Sequence, residues 1–228
     1  MKNEFVWGVS SSAFQIEGAT SEGGRGLSTW DVYTRTPGKI LNGDTADIAC
    51  DHYHRYREDV KLMAELGVTG YRFSIAWPRI VPDGVGAPNP AGIAFYSDLI
   101  DTLLEYGIQP YPTLYHWDLP VINQFVADGW LSRQTAEAFA RYAGICFEAF
   151  GDRVRHWITL NESWCSAVIG YGLGAFPPGR RDSEQPYLAA HNLLLAHAMA
   201  ARTFREGGFD GRIGIANNCD WREPLTGA

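Results

Sequence analysis

The sequence predicts a parallel α/β protein, specifically a partial (β/α)8 TIM barrel made of strands one to five with their intervening helices. Three observations lead there. Short runs of β-branched and aromatic residues alternate with amphipathic helical stretches along the whole chain. No G-x-G-x-x-G or Walker pattern follows any strand, which leaves a doubly wound nucleotide-binding sheet without support. Polar clusters stand instead at the C-terminal ends of successive strands, where a barrel gathers its chemistry.

The elements follow in order. Phe5 to Val9 is the first strand. Asp51 to Leu66 is a helix, with Tyr53, Tyr56, Val60 and Met63 on one face, and Gly67 stops it. Val68 to Ile75 is the second strand. Ala91 to Tyr106 is a helix whose apolar stripe runs through Phe95, Leu99, Leu103 and Tyr106, with Gly107 marking its end. Ile108 to Tyr115 is the third strand, and Ser132 caps a helix reaching Phe150. Val154 to Leu160, the helix Tyr187 to Arg205 and the strand Arg212 to Ala216 complete the pattern. No linker or repeat interrupts it, so residues 1–228 read as the N-terminal part of a single barrel domain. An eight-stranded closure needs about three further strands.

Composition bounds the function. The 228 residues carry a formal net charge of −7, which argues against a nucleic-acid surface. No run approaches the length of a membrane span. Cys50, Cys146, Cys165 and Cys219 are scattered, without metal-ligand or paired spacing, and read as reduced thiols of a cytoplasmic protein. No cofactor or metal is expected. Aromatic residues make up 13% of the chain, and sugar sites favour flat apolar surfaces with polar tips.

The strand ends carry Ser12-Ala13-Phe14-Gln15-Ile16-Glu17-Gly18, then Tyr71-Arg72-Phe73-Ser74, then Tyr115-His116-Trp117-Asp118-Leu119-Pro120, then Asn161-Glu162-Ser163-Trp164-Cys165. Singly, each has a structural explanation: Gln15 caps a turn, Arg72 pairs with Glu17 or another structural acid, His116 is a satisfied structural histidine, and Glu162 sits in a rim ion pair. Together on one face they form a costly polar cluster whose donors and acceptors suit several sugar hydroxyls.

These blocks resemble the signatures of glycoside hydrolase family 1, the β-glucosidase family. Phe5-x-Trp7-Gly8 with Gln15-Ile16-Glu17-Gly18 is similar to its N-terminal signature. Arg25-Gly26-x-Ser28-x-Trp30-Asp31 is similar to its first loop, and Arg72-Phe73-Ser74-Ile75-x-Trp77-Pro78-Arg79 to its second strand. His116-Trp117-Asp118-Leu119-Pro120 and Thr159-Leu160-Asn161-Glu162 are similar to its third strand end and acid/base motif. The resemblance implies retaining hydrolysis of terminal β-D-glycosides. It implies that Glu162 is the general acid/base and that Arg72 steadies a nucleophilic glutamate located after strand seven. Gln15, His116 and Asn161 would hydrogen-bond the −1 sugar and Trp117 would shape its subsite. Trp164, Cys165 and Asn218 would line the entrance. Three positions depart from the pattern: the Thr-Glu-Asn-Gly nucleophile motif does not occur, Ser163 replaces a proline, and Val121-Ile122-Asn123-Gln124 replaces a Gln-Ala-Leu run.

Two readings stay open from sequence. One is the acid/base half of a β-glucosidase-like enzyme, partnered by a C-terminal half-barrel chain or by self-association, with a β-glucoside or short oligosaccharide as substrate. The other is an inactive half-barrel that binds carbohydrate or serves in assembly. Glu17 and Asp118 are the other acids within reach of a substitute role.

Overall fold

The computed structural model describes residues 5–221 and 223–225. Five strands, β1 (Gly8–Ser10), β2 (Gly70–Ser74), β3 (Gln109–Tyr115), β4 (His156–Asn161) and β5 (Arg212–Ala216), form one sheet in sequence order, every neighbouring pair parallel. Long helices return the chain between them: α3 (His52–Glu65), α5 (Pro90–Glu105), α7 (Arg133–Phe150) and α8 (Gln185–Glu206). Short helices α1 (Ala13–Ile16), α2 (Thr29–Thr34), α4 (Trp77–Ile80) and α6 (Val121–Ala127) decorate the loops that follow the strand ends. This is a partial (β/α)8 barrel, with β1 and β5 at the two ends of the sheet.

The long elements obey their sequence patterns. Gly67 and Gly107 take φ of +75° and +71° just past α3 and α5, a conformation that costs a side-chain-bearing residue. The Ser132 hydroxyl accepts from the Gln134 amide and starts α7. The α7 stripe of Phe139, Tyr142, Cys146, Phe147 and Phe150 is fully buried against the sheet. Each such aromatic side chain contributes roughly 1.5–3 kcal/mol by leaving water. Trp77 stacks on Tyr142 at 5.1 Å, and the Tyr142 hydroxyl donates to the Ile75 and Leu114 carbonyls, joining α7 to the ends of β2 and β3.

Strand alternation then separates core from site. On β2, Tyr71 and Phe73 are buried in the apolar cluster, and Arg72 between them points the other way. The first strand is shorter and later than its sequence suggests. Phe5 and Trp7 are exposed and precede β1, although the Trp7 carbonyl still accepts from the Thr69 and Gly70 amides. Strands two and four likewise begin two residues late, at Gly70 and His156.

Candidate active site

Four strand ends build the site. Arg72 Nε donates to Thr113 Oγ1 at 3.1 Å, and its Nη2 donates to Asn161 Oδ1, tying β2 to β3 and β4. Because Asn161 Oδ1 accepts from arginine, Asn161 Nδ2 is the donor to His116 Nε2 at 3.1 Å. His116 therefore carries its proton on Nδ1, which is buried with no acceptor among the described residues. Burial, and secondarily the Arg72 charge, push His116 down to about 4, so the ring is neutral near neutral pH. Burial holds Arg72 below the usual arginine value, while the nearby Glu162 carboxylate opposes it.

Glu162 directly follows β4 in a left-handed conformation, φ +46°. Its amide donates to the Ala216 carbonyl of β5 at 2.7 Å, and its carbonyl accepts from the Cys165 amide at 2.9 Å. The Cys165 thiol donates to Glu162 Oε2 at 3.4 Å, and burial with that carboxylate raises the thiol to about 11. Two backbone bonds thus hold Glu162 in place although the next residue is Ser163 and not the proline of the family pattern. The Ser163 side chain is itself buried.

The sugar-sized space lies beside this network. A cleft of about 150 Å³ is lined by Ser12, Phe14, Gln15, Trp30, Thr34, His116 and Trp117. Gln15 is exposed on α1, its Oε1 accepting from the Ser12 hydroxyl at 2.6 Å. Trp117, at φ +78°, donates its indole N–H to the Asn161 carbonyl at 3.0 Å. Phe176 packs against both Trp117 and Trp30, with ring centroids 5.1 and 5.0 Å apart, and Phe14 lies 5.8 Å from Trp30. A reciprocal capping box sets Trp30: Ser28 Oγ accepts from the Asp31 amide while Asp31 Oδ2 accepts from the Ser28 amide at 2.7 Å.

The structure therefore joins Arg72, His116, Asn161 and Trp117 directly, with Gln15 on the same cleft and Glu162 coupled to Arg72. Cys165 meets Glu162 rather than open solvent, being 8% exposed, and Trp164 is half-exposed. Asn218 stands apart, exposed two residues beyond β5. Sequence reasoning left Phe14, Trp30, Thr34 and Phe176 unassigned. The Ser28-x-x-Asp31 spacing and the aromatic surplus were the available signals.

Two sequence alternatives are corrected. Arg72 does not pair with Glu17. Arg79 does, through Nε and Nη2 at 3.1 Å each, and Glu17 also accepts from the Tyr96 hydroxyl at 2.5 Å. That buried trio clamps the loop carrying Gln15 to the end of β2. Glu17 and Asp118 are 4% and 0% exposed, so both carboxyls are enclosed by protein, and Glu17 is engaged by Arg79 and Tyr96.

The comparisons agree with this geometry. The family model described as glycosyl hydrolase family 1 matches residues 1–228. The chain belongs to glycosyl hydrolase family 1. It is 51% identical to β-glucosidase A of Thermotoga maritima over 222 residues, covering 97% of this chain and 50% of that relative. It is 53% identical to β-glucosidase 4 of Oryza sativa subsp. japonica, covering 97% of this chain and 47% of the relative. The solved Thermotoga maritima β-glucosidase in complex with castanospermine superposes with a TM-score of 0.96 at 49% identity, over 100% of this chain and 51% of that one. The chain thus spans about half the length of the family 1 relatives it matches. Among the described residues no helix is long and apolar enough to cross a membrane, and no cluster of three metal-ligating side chains occurs.

Proposed function

We propose that this chain supplies the acid/base half of a retaining β-glucosidase-like active site, as part of a single barrel domain. The observation that carries the reading is the hydrogen-bonded Arg72–Asn161–His116 row running up to Glu162 beside an aromatic-walled cleft.

In this reading Gln15, neutral His116 and Asn161 bind the hydroxyls of a terminal β-D-glucosyl unit against Trp117. The buried Nδ1–H of His116 gives the ring a donor for a sugar oxygen after a modest reorientation. Trp164 offers its exposed ring to the leaving group, and Asn218 is a weaker entrance candidate. Glu162 delivers its proton to the glycosidic oxygen as the bond to C1 breaks. A second carboxylate, about 5–5.5 Å away, takes C1 to form a glycosyl-enzyme. Glu162, now ionised, accepts a proton from the water that attacks C1, and the second carboxylate leaves. Arg72, already beside Glu162, would keep that second carboxylate ionised.

The nucleophile comes, in this proposal, from a polypeptide segment outside these 228 residues that carries strands six to eight and covers the edges of β1 and β5. The test is turnover of an aryl β-glucoside by this chain, with and without a family 1 C-terminal half-chain. Turnover is expected only with the second half. Robust turnover by this chain alone, lost in Glu162→Gln, would overturn the division of the site. Sugar binding with no turnover in either arm would favour the carbohydrate-binding reading instead.

A further inference from the structure

One contact at the strand-four end joins two ionisable side chains, Glu162 and Cys165. Cys165 follows Glu162 by three residues, at the start of a π-helical segment, Cys165–Leu173. A π-turn re-aims the side chains at its start relative to an α-helix, and such turns recur at functional sites. Here it turns the thiol back over the preceding carboxyl. The Sγ–H donates to Glu162 Oε2 at 3.4 Å, while the Cys165 amide holds the Glu162 carbonyl at 2.9 Å.

We infer that Cys165 is a positioning residue for Glu162: its thiol occupies Oε2 and leaves Oε1 as the oxygen that exchanges the proton. This inference rests on the acid/base reading above for its catalytic meaning, but the coupling itself is a property of the pair. Burial and the carboxylate that accepts from the thiol together hold Cys165 protonated. The elements around the pair carry few ionisable groups. Arg72 on β2 feels the Glu162 carboxylate, and His116 stands beyond Asn161 after β3. Helix α8, packed against the π-helical segment, carries His191, which is exposed, and His197, which is bonded to Thr159. β5 contributes the Ala216 carbonyl. Among the described residues Glu162 is the one charged group that acts on the thiol.

The experiment is site-resolved alkylation of this chain with iodoacetamide between pH 8 and 11, read by peptide mass spectrometry, in a Cys50→Ser, Cys219→Ser background. Those two thiols are exposed and would consume reagent. Cys146 is fully buried, and its silence reports an intact fold. Glu162→Gln is expected to speed Cys165 labelling at pH 9 while Cys146 stays unlabelled. A one-unit drop in thiol pKa gives about tenfold more thiolate. The accompanying fall in nucleophilicity per thiolate leaves a net gain of about threefold. Unchanged Cys165 labelling with Cys146 silent would overturn the inference. Should Glu162→Gln expose Cys146, the decision passes to Glu162→Asp, whose shorter side chain withdraws the carboxylate from the Cys165 thiol. It should likewise speed Cys165 labelling while Cys146 stays silent, and unchanged labelling would overturn the inference. Neither result depends on turnover. Loss of Glu162 dependence in a leaving-group series would defeat the acid/base reading while leaving the thiol coupling standing.

Discussion

Replacing Asp118 by asparagine should change how the stability of this protein depends on pH. Asp118 is fully buried after β3, and burial pushes its carboxyl up to about 7. Arg25 is the cation that opposes the shift, but its Nη1 is already engaged by Asp31 at 2.8 Å. An unfolded aspartate titrates near 3.9, so the folded chain binds this proton about three units more tightly. The stabilisation that the bound proton provides is complete below about pH 4 and is lost as pH rises through 7. At about 1.4 kcal/mol per unit, the loss amounts to about 4 kcal/mol across that window. Asparagine has no proton to lose. It also buries an amide, a pH-independent penalty of about 1–3 kcal/mol if unpaired, so the difference in slope is the quantity to read. Urea unfolding from pH 4 to 8 supplies it. His116, whose lowered pKa works in the opposite direction, is common to both proteins and cancels. The stability of Asp118→Asn relative to the parent should climb by several kcal/mol between pH 4 and 7, then level off. Parallel pH profiles would refute the reasoning.

Three further outcomes are expected. His116 should titrate near 4 by imidazole NMR, and Arg72→Met should raise its midpoint, since Arg72 is the second cause of the depression after burial. Removing one member of the buried Glu17–Arg79 pair leaves the other charge uncompensated, so Glu17→Ala should cost about 3–5 kcal/mol in urea unfolding. The same change should loosen Gln15, because the clamp and Gln15 share one loop; amide exchange in residues 11–20 would report it. Phe176→Ala should leave the main helices intact but free Trp117, seen as a shift in tryptophan fluorescence and faster exchange of its indole N–H.

The long elements were legible because their signals are redundant. In α5 and α7 the apolar stripe, the terminal glycine or the serine cap, and the length all point to the same boundaries within one or two residues. The short elements were not. Helix α1 has four residues, and its conformation is fixed by tertiary bonds such as the Ala13 amide to Ser74 Oγ, 61 residues away. The segment Cys165–Leu173 mixes small residues with Val168, Ile169, Tyr171 and Leu173 without a clear helical stripe, and its π geometry leaves no pattern to read. The site shows the same division. Arg72, His116, Asn161 and Glu162 were found because each lies on a strand or directly after one, in a polar block that interrupts the apolar pattern. Trp30 and Phe176 come from loops more than 140 residues apart, and only the folded chain brings their rings together. The pairing of Arg72 with Glu17 failed for a related reason. Arg79, on α4 after β2, lies close enough to claim Glu17 first, and Arg72 turns to Asn161.

The central claim is that Glu162 donates the proton to the departing glycosidic oxygen. Its most direct test is the leaving-group dependence of kcat/KM for aryl β-glucosides, comparing Glu162→Gln with the parent, each complemented by a family 1 C-terminal half. Activated phenols need little protonation and poor leaving groups need much. The substitution should therefore cost little with the former, cost on the order of 10²–10⁴-fold with the latter, and steepen the dependence. Equal losses across the series would contradict the assignment of Glu162 as the acid.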